Sequence, residues 1–147
     1  MLGNLIVVRF ADGTVQKGTS FDVDPQRPLC HLREGNTMRE VSLGKLKALF
    51  FVKTLDGRPE YHEVKSPLPG DPRLIGARLV RIRFQDGEEL VGLMNRFPPI
   101  APFFFVLPVD PASNNIRILV NRSEVKEVAE LSPAELAARE DPGAEPR

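Results

Sequence analysis

A single cysteine among 147 residues excludes an internal disulfide framework. The longest apolar runs, residues 48–52 and 103–107, fall far short of the roughly 18 residues needed to span a bilayer, so no membrane insertion is expected. The amino terminus, MLGNLIVVRF, lacks the basic start and small-residue cleavage site of a signal peptide, and the expectation is a cytoplasmic protein. Neither sign of charge prevails: Lys and Arg number 20, as do Asp and Glu. No bulk field therefore recruits nucleic acid or an anionic membrane. His31 and His62 are the only histidines, and no Cys–Cys or His–His spacing suits a metal. Glycines are scattered as turn residues, with no phosphate-cradling loop. The serines and threonines have no histidine partner that recurs in the chain's pattern. No enzyme and no cofactor are expected.

Proline is what the chain has in excess. At 14 of 147 it is nearly twice the usual ~5 %, which calls for short elements and many corners. The hydrophobic fraction of 41 % and charged fraction of 27 % are those of a packed chain. Self-similarity organises it further. Residues 8–13, VRFADG, return as residues 82–87, IRFQDG, an offset of 74. At that offset Gly18 falls on Gly92, Pro25 on Pro99 and Pro28 on Pro102. Residues 46–49 then match 125–128 at an offset of 79, so the second copy has gained five residues, within the turn-rich stretch 109–115. The chain is a tandem duplication.

Each copy reads as five short strands. Ile6, Val8 and Phe10 alternate with more polar positions, the period of a half-buried strand. Asp12-Gly13 and Asp86-Gly87 signal hairpins with type I′ turns, in which both central residues need positive φ. Gly18, inside a strand, predicts a bulge or sharp bend. The first copy places strands at 6–10, 14–21, 28–33, 38–43 and 48–53, with a 3₁₀ turn at 44–46. The second places them at 79–84, 88–96, 102–107, 115–120 and 125–131, with a turn at 121–124. The fold class is therefore all-β: two tandemly duplicated five-stranded SH3-like or Sm-like small barrels packed together, with a short C-terminal helix. The expected boundaries are 1–53 for the first barrel, 54–77 for a proline-rich linker, 78–131 for the second barrel and 132–147 for helix and tail. Ser132, followed by Pro133 and Glu135, has the chemistry of a helix cap.

The strings LKALFFVKTLDGRPEYHEVK (46–65) and FFFVLPVDPASNNIRILV (103–120) resemble an uncharacterised bacterial domain-of-unknown-function family. The resemblance runs from about residue 3 to 131. It implies tandem small β-barrels that often accompany PilZ-type signalling modules, and it implies no catalytic residues. Pro98-Pro99-Ile100 departs from it, where a softer corner is usual.

Four groups of residues invite a functional reading. Arg78, Arg81 and Arg83, with Arg9 as the counterpart of Arg83, form a basic stripe. It is either a solvated face paired with Glu88 and Glu89, or a site for an anion, a nucleotide second messenger or a nucleic acid. Phe50, Phe51, Phe103, Phe104 and Phe105 lie in runs that are apolar on both strand faces, whereas a barrel wall buries one. The second face meets the other barrel through a pseudo-twofold contact, a homodimer partner or a partner protein's groove. Cys30 reads as a small buried hydrophobe. Asp22 and Asp24 read as a corner bonded to its own backbone, with a shared cation as the alternative. The function expected is a non-catalytic binding or adaptor module in bacterial signalling or regulation, acting through a protein partner.

Overall fold

Alternation of apolar and polar residues becomes strand at residues 4–10 and 78–84. The computed structural model describes residues 3–57, 59–64, 66–67, 70–132 and 134–135. Its strands are β1 (Asn4–Phe10), β2 (Val15–Ser20), β3 (Leu29–Glu34), β4 (Thr37–Ser42) and β5 (Leu46–Val52), with a 3₁₀ turn at Leu43–Lys45. After a single helical turn, α1 (Arg73–Gly76), come β6 (Arg78–Phe84), β7 (Glu89–Met94), β8 (Phe103–Pro108), β9 (Asn115–Asn121) and β10 (Val125–Glu130). The second 3₁₀ turn, Arg122–Glu124, sits where the first does in its copy. Ala134 and Glu135 are helical, and the Glu135 amide donates to Ser132 Oγ at 3.1 Å. Pro133 and residues 136–147 of the expected helix and tail lie outside the described residues.

The two β1–β2 and β6–β7 hairpins are built alike, but not as type I′ turns. Gly13 and Gly87 have φ of 94° and 92°, while no residue other than glycine has a positive φ among those described. The Gly13 amide donates to the Phe10 carbonyl, and the Phe10 amide to the Thr14 carbonyl. This is a three-residue loop: a type I turn closed by a glycine bulge. Asp12 and Asp86 each accept the amide two residues on, at 2.9 Å, which fixes the turn. The corner at Pro98 holds a cis peptide between Phe97 and Pro98.

All ten strands belong to one open antiparallel sheet, in the order β10-β6-β7-β8-β9-β5-β1-β2-β3-β4. Each half repeats one order: its fifth strand, then first to fourth. Two apolar clusters lie along the sheet. The first joins Ile6, Val8, Cys30, Leu32, Val41, Leu49 and Phe51. Since β4 and β5 stand at opposite ends of their half and meet in one cluster, the half curls around it. The second cluster gathers Val80, Ile82, Phe84, Met94, Val106, Ile118 and Val120.

Gly18 and Gly92 make the curl possible. A Cβ on Gly18 would collide with the Arg33 carbonyl, and one on Gly92 would lie 2.7 Å from the Leu107 carbonyl oxygen and strike the Val106 side chain. The glycines mark close backbone crossings, of β2 over β3 and of β7 over β8. Pairing there is correspondingly brief, a single residue pair in one case and two in the other.

The halves join where β5 pairs β9, Leu49 opposite Leu119 and Phe50 opposite Ile118. A pseudo-twofold contact would pair equivalent strands; this joint pairs a fifth strand with a fourth. It also accounts for the two-faced apolar runs. Leu49 and Phe51 point into the first cluster together with Leu119, Phe103 and Phe105. Ala48 and Phe50 point into the second, beside Phe104, Val106, Ile118 and Val120.

Residues 54–77 are tied to the insertion that distinguishes the second copy. Asp110, buried, accepts from Tyr61 Oη at 2.5 Å and from the amides of Val64 and Ala112 at 2.8 Å. Arg73, held by Asp71, donates to the carbonyls of Pro108 and Val109 at 2.8 and 2.7 Å. Thr54 and Asn114 exchange hydrogen bonds as well. The five extra residues thus receive the linker. Asp110→Ala would remove the acceptor of three part-buried hydrogen bonds, from Tyr61, Val64 and Ala112, and is expected to cost about 1–3 kcal/mol; a urea titration reads it, with earlier proteolysis within 54–77 as the local sign.

Candidate functional site

The basic stripe sits on β6, between β7 and β10, and the register decides its fate. Arg83 stands opposite Glu89 on one side and Glu127 on the other. Arg83 donates to Glu89 through Nε at 3.1 Å and Nη2 at 2.9 Å. Arg81 meets Glu127 at 2.6 Å, and Arg78 meets Glu130 at 3.0 Å. Each arginine of the stripe therefore has a glutamate, supplied mainly by β10, a strand far away in sequence. An incoming phosphate would have to displace them.

A second charged group, not expected from the sequence, crosses the joint. Lys47 sits in the apolar run of β5 and is only 6 % exposed. Its Nζ meets Asp86 at 2.6 Å and also Glu88 Oε1, and it lies 4.8 Å from the centre of the Phe84 ring. Arg9 completes the clasp, donating to Glu88 at 3.0 and 3.3 Å. Glu88 thus serves the other half of the chain and not the stripe across its own hairpin. Hydrogen bonds from Lys47 hold the Asp86 and Glu88 carboxyls below their usual range. The signal in the sequence was Lys47 itself: a lysine inside a two-faced apolar strand needs a carboxylate nearby.

The remaining candidates are structural in their contacts. Cys30 is fully buried, and burial, with the field of Asp22, pushes its thiol up to about 11. Asp22 accepts from the His31 amide at 2.8 Å, from His31 Nδ1 at 2.6 Å and from Ser20 Oγ at 3.1 Å. Asp24 accepts from the Gln26 amide at 2.9 Å. Among the described residues no three His, Cys, Asp or Glu side chains gather as metal ligands. The guanidinium of Arg117 lies 4.3 Å from the Phe51 ring and 4.5 Å from the Phe105 ring, covering the first cluster at its end.

The His31–Asp22 pair makes one pH-dependent contribution. The hydrogen bond to Asp22 raises the His31 pKa above 6.5, with the charge of Glu40 acting in the same direction. A raised pKa stabilises the fold fully below the unfolded value of 6.5, and the increment is lost as pH rises through the folded value. Urea midpoints should therefore fall between pH 5.5 and 8.5. In Asp22→Asn this part of the fall should disappear.

The contacts define a class: an all-β chain of two repeated five-strand halves, fused through one sheet and an ionic clasp. The chain belongs to a family of unknown function, DUF6982, which it matches over residues 3–132. Comparison with curated proteins and with solved structures finds no match. Among the described residues no helix is long and apolar enough to cross a membrane.

Proposed function

We propose that this chain is a non-catalytic binding or adaptor module of bacterial signalling, two small barrels acting in the cytoplasm through contact with a protein partner. The observation that carries this reading is the outward face of the β3–β4 pair. Leu29 and Met38 lie on that face, 41 % and 53 % exposed, with His31, Arg33 and Glu40 between them. Phe21, 57 % exposed, follows β2 nearby in the chain. Apolar anchors among charged neighbours are how protein interfaces are made. The curling of the first half around the first cluster supports the barrel description. The engagement of Arg78, Arg81 and Arg83 by glutamates favours this reading over a nucleotide or nucleic-acid site.

The test compares baits. A protein recovered from the native cell by the wild-type chain should be lost with Leu29→Glu and Met38→Glu, retained with Ile75→Glu, and bound directly when purified. Recovery of the same proteins by all four baits would overturn the proposal.

A further inference from the structure

The joint between the halves pairs two different strands, a fifth (β5) with a fourth (β9). Such a heterologous contact leaves one copy of each partner surface unused. Here the unused copies are β10, the counterpart of β5, and β4, the counterpart of β9. They are the two end strands of the sheet. We propose that β10 of one molecule pairs with β4 of another, so that chains associate head to tail through a second use of their internal joint.

Register and charge both support a second copy as the occupant. Transferred by the repeat offset, the pairs Ala48–Val120, Leu49–Leu119 and Phe50–Ile118 become Glu127–Val41, Val128–Glu40 and Ala129–Arg39. Arg39 then lies diagonal to Glu127, within reach of its charge. One like-charged diagonal, Glu40 with Glu130, opposes it. The ionic clasp is also carried over. Lys126 is the counterpart of buried Lys47, Arg83 of Arg9, and Asp12 of Asp86; only Glu88 is replaced, by Thr14. Lys126 and Asp12 are exposed, and Asp12 is presented by the same turn as Asp86. Thus the cation waits at one end of the molecule and the carboxylate at the other.

The outer contact is weaker than the inner one. Phe50 and Phe51 of β5 correspond to Ala129 and Glu130, so less apolar surface is covered, and charges on end strands oppose indiscriminate pairing. The association is reversible and salt-sensitive, whereas the internal joint is permanent.

The proposal goes beyond the adaptor reading and is tested on the purified chain alone, so that either can fail without the other. Sedimentation velocity across a concentration series should give a mass that rises with concentration and falls in high salt. Lys126→Glu disables the β10 end and Arg39→Glu the β4 end, so each variant alone should associate about tenfold more weakly. Mixed, they should form a 1:1 dimer that grows no further, because one intact β10 meets one intact β4. Asp12→Asn, which keeps the turn's acceptor oxygen, is the second variant for the β4 end. A wild-type chain that stays monomeric throughout would overturn the proposal. So would variants that associate like the wild type, or a mixture of folded variants without heterodimer.

Discussion

Phe51→Ala should lower the unfolding free energy by about 3–5 kcal/mol, the usual cost of emptying an aromatic site in a core. Phe51 is 3 % exposed, its ring centroid is 6.2 Å from that of Phe105, and Arg117 stacks above it. These neighbours come from β8 and β9, in the other half of the chain. The loss should therefore not be confined to residues 3–57. Amide exchange in β1 and in β8 should accelerate together, and denaturation should remain one transition with an earlier midpoint. Two separate transitions, or a loss below about 1 kcal/mol, would contradict a shared core. Against a typical total of roughly 5–15 kcal/mol, the expected loss is a large fraction of the whole.

Gly92→Val should be as damaging, by overpacking instead of a cavity. The added atoms would strike the Val106 side chain and the Leu107 carbonyl, where β7 crosses β8. Backbone on the far side cannot step away without breaking the Gly92–Pro108 and Leu93–Leu107 pairs. A cost of about 3 kcal/mol or more, at the upper end of overpacking effects, is expected. Gly18→Val meets the Arg33 carbonyl in the same way in the first half. Gly13 marks the contrast: a Cβ there has open space, and its φ of 94° is what requires glycine. Melting curves of the two variants beside Gly44→Ala, at a glycine with room around it, would distinguish crossings from ordinary turns.

Much of the fold was legible because its causes are local. The alternation of Val80, Ile82 and Phe84 with arginines reads as a strand without knowledge of its neighbours. The Asp-Gly turns read equally well, although the turn type did not: only the glycine takes positive φ, since a bulge lets the aspartate stay in its ordinary region. The five-residue insertion was visible as a gap in the repeat, but its purpose was not. Tyr61, Val64 and Arg73 reach it from dozens of residues away.

The charged groups divide in the same manner. Arg83 with Glu89 follows from one hairpin and was within reach of pattern reasoning. Glu127 and Glu130 come to Arg81 and Arg78 from β10, because that strand happens to flank β6. Assigning Glu88 to the nearest arginines failed for a simple reason. The sheet brings Arg9 and Lys47 to it from the other half, and a buried ammonium has the stronger need for a carboxylate.

By itself, then, the amino-acid order determined that this chain is two copies of one five-strand pattern, with strands that must be covered on both faces. Periodicity, turn residues and spacing suffice for that. Only the tertiary structure decided that β5 and β9 do the covering, that a fifth strand meets a fourth, and that Lys47 closes the joint. Strand pairing is made by backbone groups that every sequence carries alike. Which edges meet is chosen by the sum of distant contacts, and no single stretch of the chain contains that sum.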